Sequence, residues 1–125
     1  MKLDPDMVRE ILLTVEAEHI GPDSSTSYSS GDDYARFYVA RLLSEAGYLQ
    51  SYDLPDSSDG DITILVIERL TFRGHEFLDS VRDAGIWAEA KAGGKSIGGA
   101  TLEMLMSLAK GFAKKKLEQH FDLKL

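Results

Sequence analysis

His75 and Asp79 stand four residues apart in HEFLD, a spacing that sets an imidazole and a carboxylate on one helix face. The zinc motif HExxH uses that spacing, with a second histidine where this chain has Asp79 and a third ligand elsewhere. Aspartate can bind zinc, but no third ligand is in view. The other two histidines, His19 and His120, read as helix-end residues, and there are no cysteines. A helix with His75 in its first turn and Asp79 on its polar side accounts for both without a metal. The GKS at residues 94–96 matches the end of a phosphate loop, but the loop's first glycine falls on Glu89 and a helical segment, not a strand, precedes it. It reads as a chance match. The absence of cysteine removes disulfides, thiolate nucleophiles and cysteine metal sites.

The stretch DLPDSSDGD, residues 53–61, holds four aspartates and no base. A calcium loop wants acids at alternating positions, glycine sixth and glutamate twelfth. With Gly60 sixth, Pro55 falls first, Ser57 third and Val66 twelfth, so three ligand positions fail. A solvated hairpin tip fits better. The remaining residues with binding chemistry are Arg36 and Arg41, whose guanidinium groups can contact phosphate or guanine edges, and Phe37 between them. Phe37 is expected on the outward face of its helix as a protein contact, or else covered by the C-terminal helix.

The elements that position these residues follow from periodicity. Residues 5–19 read as a helix capped by Asp4, with Pro5 at its first position and Met7, Ile11 and Val15 on one face. Residues 23–31, DSSTSYSSG, read as a loop with at most one short helical turn. A second helix covers about 32–46. Ala35, Val39, Leu42, Leu43 and Ala46 form its expected buried stripe, and Asp33, Arg36, Phe37, Ala40, Arg41 and Ser44 its opposite face. Gly47 suits the position after its end. YLQSYDL and ITILVIERL read as two strands joined by DSSDG. Thr71 caps a helix over about 72–83 whose Gly74, Phe77, Leu78 and Val81 share a face. Ile86 and Trp87 are expected to return to the core. AGGKSIGGA, 92–100, is flexible by composition. Residues 101–121 read as a last helix with an apolar stripe (Leu105, Leu108, Ala109, Phe112, Leu117, Phe121) and lysines at 110 and 114–116 on its other side.

This order resembles a winged helix-turn-helix domain. More narrowly, the chain resembles an uncharacterised family of small phage and prophage proteins, a domain of unknown function, with the pattern YHxxLLxEAGLI followed by LTxxGHxFLDxxRDxxxW. Tyr38, Leu42-Leu43, Glu45-Ala46-Gly47 and Tyr48-Leu49 match the first motif. Leu70-Thr71, Gly74-His75, Phe77-Leu78-Asp79, Arg82-Asp83 and Trp87 match the second, which is the more specific. Val39 stands where the family often has histidine, and Tyr48 replaces leucine. The resemblance covers about residues 1–91. It implies a fold and a phage-linked setting, and transfers no catalytic residue. The middle helix of the three-helix module is short or missing within 23–31, which argues against ordinary DNA docking.

The expectation is therefore an α+β, winged-helix-like domain over 1–91, a glycine-rich linker over 92–100, and an additional C-terminal amphipathic helix over 101–125. Of the 125 residues, 14 are Lys or Arg and 21 Asp or Glu, for a net charge of −7. Residues 1–60 hold four bases against twelve acids, and 61–125 ten against nine. Phosphate selects basic surfaces, so the acidic half weighs against nucleic acid. No nucleophile–base pair, metal cluster, cofactor motif or small-molecule site is in view, and no apolar run is long enough to span a membrane. The function expected is non-enzymatic: an accessory or regulatory protein in the cytoplasm of a bacterial host, binding a protein partner or itself. Arg36, Phe37, Arg41, Asp56, Asp59 and Asp61 form the expected macromolecule-binding surface. The alternative is a sequence-specific DNA-binding transcription regulator contacting DNA through Arg36 and Arg41. A third reading is an enzyme using His75 and Asp79.

Overall fold

The computed structural model describes residues 2–121, so residues 122–125 of the expected C-terminal segment lie outside the described residues. The architecture is α+β and winged-helix-like, with five helices and a three-stranded antiparallel sheet among the described residues. The chain divides into two compact units between Glu76 and Phe77, inside a helix and upstream of the boundary expected at residue 91.

The first unit opens with α1 (Pro5–Glu18). Asp4 caps it by accepting the Asp6 N–H at 3.0 Å, and Val8, Ile11, Leu12 and Val15 form its buried stripe. The polar segment expected as a loop contains instead a strand, β1 (Thr26–Ser29). Its sequence carries little strand signal. Its pairing does: Thr26 lies opposite Ile67 and Ser29 opposite Ile64. Thr26, buried, donates its hydroxyl to Glu18 Oε2 at 2.6 Å, tying β1 to the end of α1.

Helix α2 (Tyr34–Glu45) follows, capped by Asp33, whose carboxylate accepts the Arg36 N–H at 3.1 Å. It leads through Gly47, at φ +87°, into β2 (Leu49–Pro55) and β3 (Thr63–Leu70). The sheet order is β1-β3-β2, with a bulge between Gln50 and Ser51. So β3 is central, and its Leu65, Val66 and Ile67 are buried. Asp53 and Leu54 belong to β2, as the strand reading of YLQSYDL expects, and Pro55 extends it by one residue.

Two motif segments meet at the turn after α2. Thr71 donates its N–H to the Tyr48 carbonyl at 3.1 Å and its hydroxyl to the Gly47 carbonyl. It then caps α3 (Phe72–Val81) by accepting the Gly74 N–H at 3.1 Å. A β-carbon on Gly74 would lie 2.2 Å from the Tyr48 carbonyl oxygen, so only glycine fits there. Phe77, Leu78 and Val81 on the same face of α3 are fully buried, as the spacing predicts.

The second unit holds α4 (Ala84–Ser96) and α5 (Leu102–Phe121), which pack on each other. Asp83 caps α4 by accepting the Ile86 N–H at 2.9 Å, and Trp87 and Ala90 are buried. Here the structure corrects the expected linker over 92–100, since its first five residues are the last turns of α4. The two glycines inside the helix are tolerated because α5 comes close. A β-carbon on Gly94 would lie 3.2 Å from Leu105 Cδ2, and one on Gly93 3.5 Å from Leu108 Cδ1. The helix ends in a Schellman turn, with Gly98 at φ +86° donating to Lys95 and Gly99 donating to Gly94 at 2.8 Å.

Candidate functional site

The surface that a winged helix offers to a ligand is built from α2 and the β2–β3 hairpin. Both arginines expected there lie on α2, and both are already held. The Arg36 guanidinium donates to Glu10 Oε1 on α1 at 2.6 Å and to Asp33 Oδ2 at 2.9 Å. Those bonds, Glu10 first, hold its pKa further above the ordinary arginine range. The backbone and side-chain bonds from Arg36 in turn hold the Asp33 carboxyl below the usual carboxylate range. Arg41 takes Asp53 of β2 with both nitrogens, at 2.8 and 3.2 Å. This fork ties α2 to the base of the wing.

Phe37 is a correction. It is 7% exposed and belongs to the core, as does Ala40 beside it. The expected single stripe failed because α2 packs on α1 and on all three strands, so its buried arc is wide. The Arg41 guanidinium lies 5.1 Å from the centre of the Phe37 ring, and the Tyr34 ring is 6.0 Å from it. Arg41 thus has two partners, a carboxylate and an aromatic face, before any ligand arrives.

The wing aspartates are structural as well as charged. Asp56 accepts both the N–H and the hydroxyl of Ser58, at 2.8 and 2.6 Å, and these bonds lower its carboxyl pKa. Asp59 accepts the Asp61 N–H at 3.0 Å, and the turn closes through Ile62 N–H to the Asp59 carbonyl at 3.1 Å. These are Asx turns, which explain why aspartate and serine crowd this tip. Asp59 and Asp61 are exposed.

Besides Tyr34 of α2, 52% exposed, the apolar residues that face solvent here are Tyr52 and Leu54, 48% and 46% exposed. They sit two apart on β2, on one side of the strand, while Ser51 and Asp53 face α2, Ser51 through a 2.7 Å bond to Ser44. Reading β2 as a confident strand over 49–55 would have found them, because the alternation is plain once the bulge is allowed for. A shallow groove of about 360 Å³ runs between α2 and β2, lined by Arg41, Ser44, Glu45, Gln50, Tyr52 and Asp53.

The residues with metal or catalytic spacing do not converge. His75 Nδ1 lies 4.0 Å from Glu16 Oε2, whereas Asp79 accepts a bond from Arg82 at 2.9 Å. Among the described residues no group of three or more His, Cys, Asp or Glu is gathered as a metal site. The GKS residues lie at the end of a helix, where Ser96 donates to the Gly93 carbonyl at 2.7 Å, and not at the helix start that would face a phosphate. No helix among the described residues is long and apolar enough to cross a membrane.

The family described as "Hypothetical protein (DUF2513)" matches residues 2–101. The chain belongs to this family. A relative described as an uncharacterized protein of Haemophilus influenzae is 33% identical over 101 residues, covering 77% of this chain and 80% of its own. No solved structure matches. The match takes in both motif segments, the acidic wing and all of α4, and stops at Thr101 ahead of α5. Within this DUF2513 chain, the motif residues Gly47, Thr71 and Gly74 serve the fold.

Proposed function

We propose that this protein is a non-enzymatic accessory or regulatory protein, acting in the cytoplasm of a bacterial host, that binds a protein partner or itself through its acidic winged-helix surface. One observation carries the reading. Both cations of α2 are engaged by carboxylates of the same unit, Arg36 by Glu10 and Asp33 and Arg41 by Asp53. A duplex would have to break these pairs and then approach Asp56, Asp59 and Asp61. Residues 2–76 carry six bases against fifteen acids, a net charge of −9. Counterion release, which supplies much of the affinity for DNA, needs the opposite sign. The exposed Tyr52 and Leu54 suit the apolar centre of a protein partner, and the wing-tip Asp56, Asp59 and Asp61 suit basic groups on it. A phage or prophage setting is part of the proposal and rests on the motif resemblance.

The alternative, a sequence-specific DNA-binding transcription regulator, draws on the place of α2 next to the wing. Fluorescence anisotropy with fragmented host genomic DNA separates the two. The protein-binding reading expects no saturable signal at near-physiological salt. Saturable binding that disappears in a doubly substituted Arg36→Ala, Arg41→Ala protein would establish the alternative instead.

A further inference from the structure

Helix α5 carries two apolar stripes, and α4 takes one of them. Leu105 and Ala109 are buried, with Leu105 against Gly94. The other stripe borders an open, mainly apolar groove of about 670 Å³, lined by Met104, Gly111 and Phe112 on α5, by Ile97 before it, and by Leu108, which also reaches Gly93 of α4. Thr101, Met104, Leu108, Gly111 and Lys115, all of which line it, follow a 3-4-3-4 spacing. That is the seam a helix presents to a second helix lying along its length.

We propose that this groove is the interface of a homodimer, in which α5 of one protomer lies antiparallel along α5 of its partner. The stripe is complementary to itself in that orientation. A two-fold axis beside Leu108 sets Met104 of one copy across from Gly111 and Phe112 of the other, so a long flexible side chain meets a position with none. A β-carbon on Gly111 would meet nothing within 4 Å, so the space is open for it. The charges agree. Glu103 stands at one end of the groove and Lys115 at the other. An antiparallel pair brings the lysine end of each copy to the acidic end of its partner, whereas a parallel pair would stack lysine on lysine. Residues 77–121 carry seven bases against five acids, so this unit brings little net charge of its own to the contact. A closed two-fold contact also ends assembly at the dimer.

One helix pair of this length, about 20 Å over four turns, falls short of a standard interface of about 1,600 Å². A contact of that size belongs with weak or transient associations. The proposal is independent of the reading of the acidic wing.

Sedimentation equilibrium of the whole chain, from a few to a few hundred micromolar, tests it. The wild type should pass from monomer to dimer. Gly111→Glu, a substitution into open space at a helical position, should fold normally by circular dichroism, melt no lower, and remain monomeric. Because the chain has no cysteine, single replacements report the orientation. Ser107→Cys, near the axis, should cross-link to its own copy under mild oxidation, and Met104→Cys should not. A wild type that stays monomeric throughout, or a dimer that persists in Gly111→Glu, overturns the proposal. Cross-linking through both cysteines equally would overturn the antiparallel arrangement. A monomer that binds vesicles of anionic phospholipid, and loses that binding in Gly111→Glu, would assign the groove to a membrane surface instead.

Discussion

Gly74 shows how a single absent side chain joins the two motif segments. A β-carbon there would lie 2.2 Å from a backbone oxygen that itself accepts the Thr71 N–H, so neither side can yield cheaply. Alanine favours a helix over glycine by about 1 kcal/mol, but overpacking against backbone costs about 1–3 kcal/mol or more. Gly74→Ala should therefore lower the urea midpoint clearly, while Gly60→Ala, which meets nothing within 4 Å, should change it little. The sequence made the close approach at Gly74 legible through the helical spacing of Gly74, Phe77, Leu78 and Val81. It did not reveal that the neighbour is the Tyr48 carbonyl, because that contact joins residues 26 apart. Two carboxyls add a pH prediction. Hydrogen bonds hold Asp33 and Asp56 below the ordinary carboxylate pKa in the folded state. A depressed folded pKa gives stability that is present above the unfolded value and lost as pH falls through the folded one. Unfolding by urea should become easier as pH drops below about 4, and the decline should flatten in Asp33→Asn and Asp56→Asn proteins. An unchanged slope would remove these two groups as its source.

At the scale of elements, the helices were legible where caps and periodicity agreed. Asp4 and Thr71 cap as their positions imply, while Asp33, read as part of the second helix, is its cap. Strand β1 was not legible, because TSYS sits in a polar run and is held by pairing with β3 and by the Thr26–Glu18 bond, both distant in sequence. Phe37 was misplaced for a related reason: a one-stripe reading suits a helix with one neighbour, and α2 has several. The end of α4 was hidden by composition, since AGGKS has the residues of a flexible linker while α5 supplies the packing that keeps it helical. This difference can be measured. Gly93→Ala places a methyl at ordinary contact distance from Leu108 inside a helix, and should stabilise the protein by about 1 kcal/mol. No gain in thermal stability would indicate that this segment is not helical in solution.

For the whole molecule, the charge is divided by unit, −9 over residues 2–76 and +2 over 77–121. The fold was legible from the order of elements and the motifs. The candidate surface was legible only in part. Arg36, Arg41, Asp56, Asp59 and Asp61 do lie on α2 and the wing, but the pairing of both arginines with Glu10, Asp33 and Asp53 needed coordinates, and Tyr52 and Leu54 replace Phe37 as exposed apolar residues. The central claim is that this acidic surface addresses protein and not DNA. Affinity capture from bacterial lysate, with and without nuclease, tests it most directly when wild type is compared with two variants. One is Asp56→Asn, Asp59→Asn, Asp61→Asn, which keeps the side-chain oxygens that accept the turn bonds and removes charge, and the other is Arg36→Ala, Arg41→Ala. The account predicts a discrete protein that survives nuclease with wild type and is lost with the asparagine variant. A catch that nuclease abolishes, and that the alanine variant loses while the asparagine variant keeps it, would contradict the account.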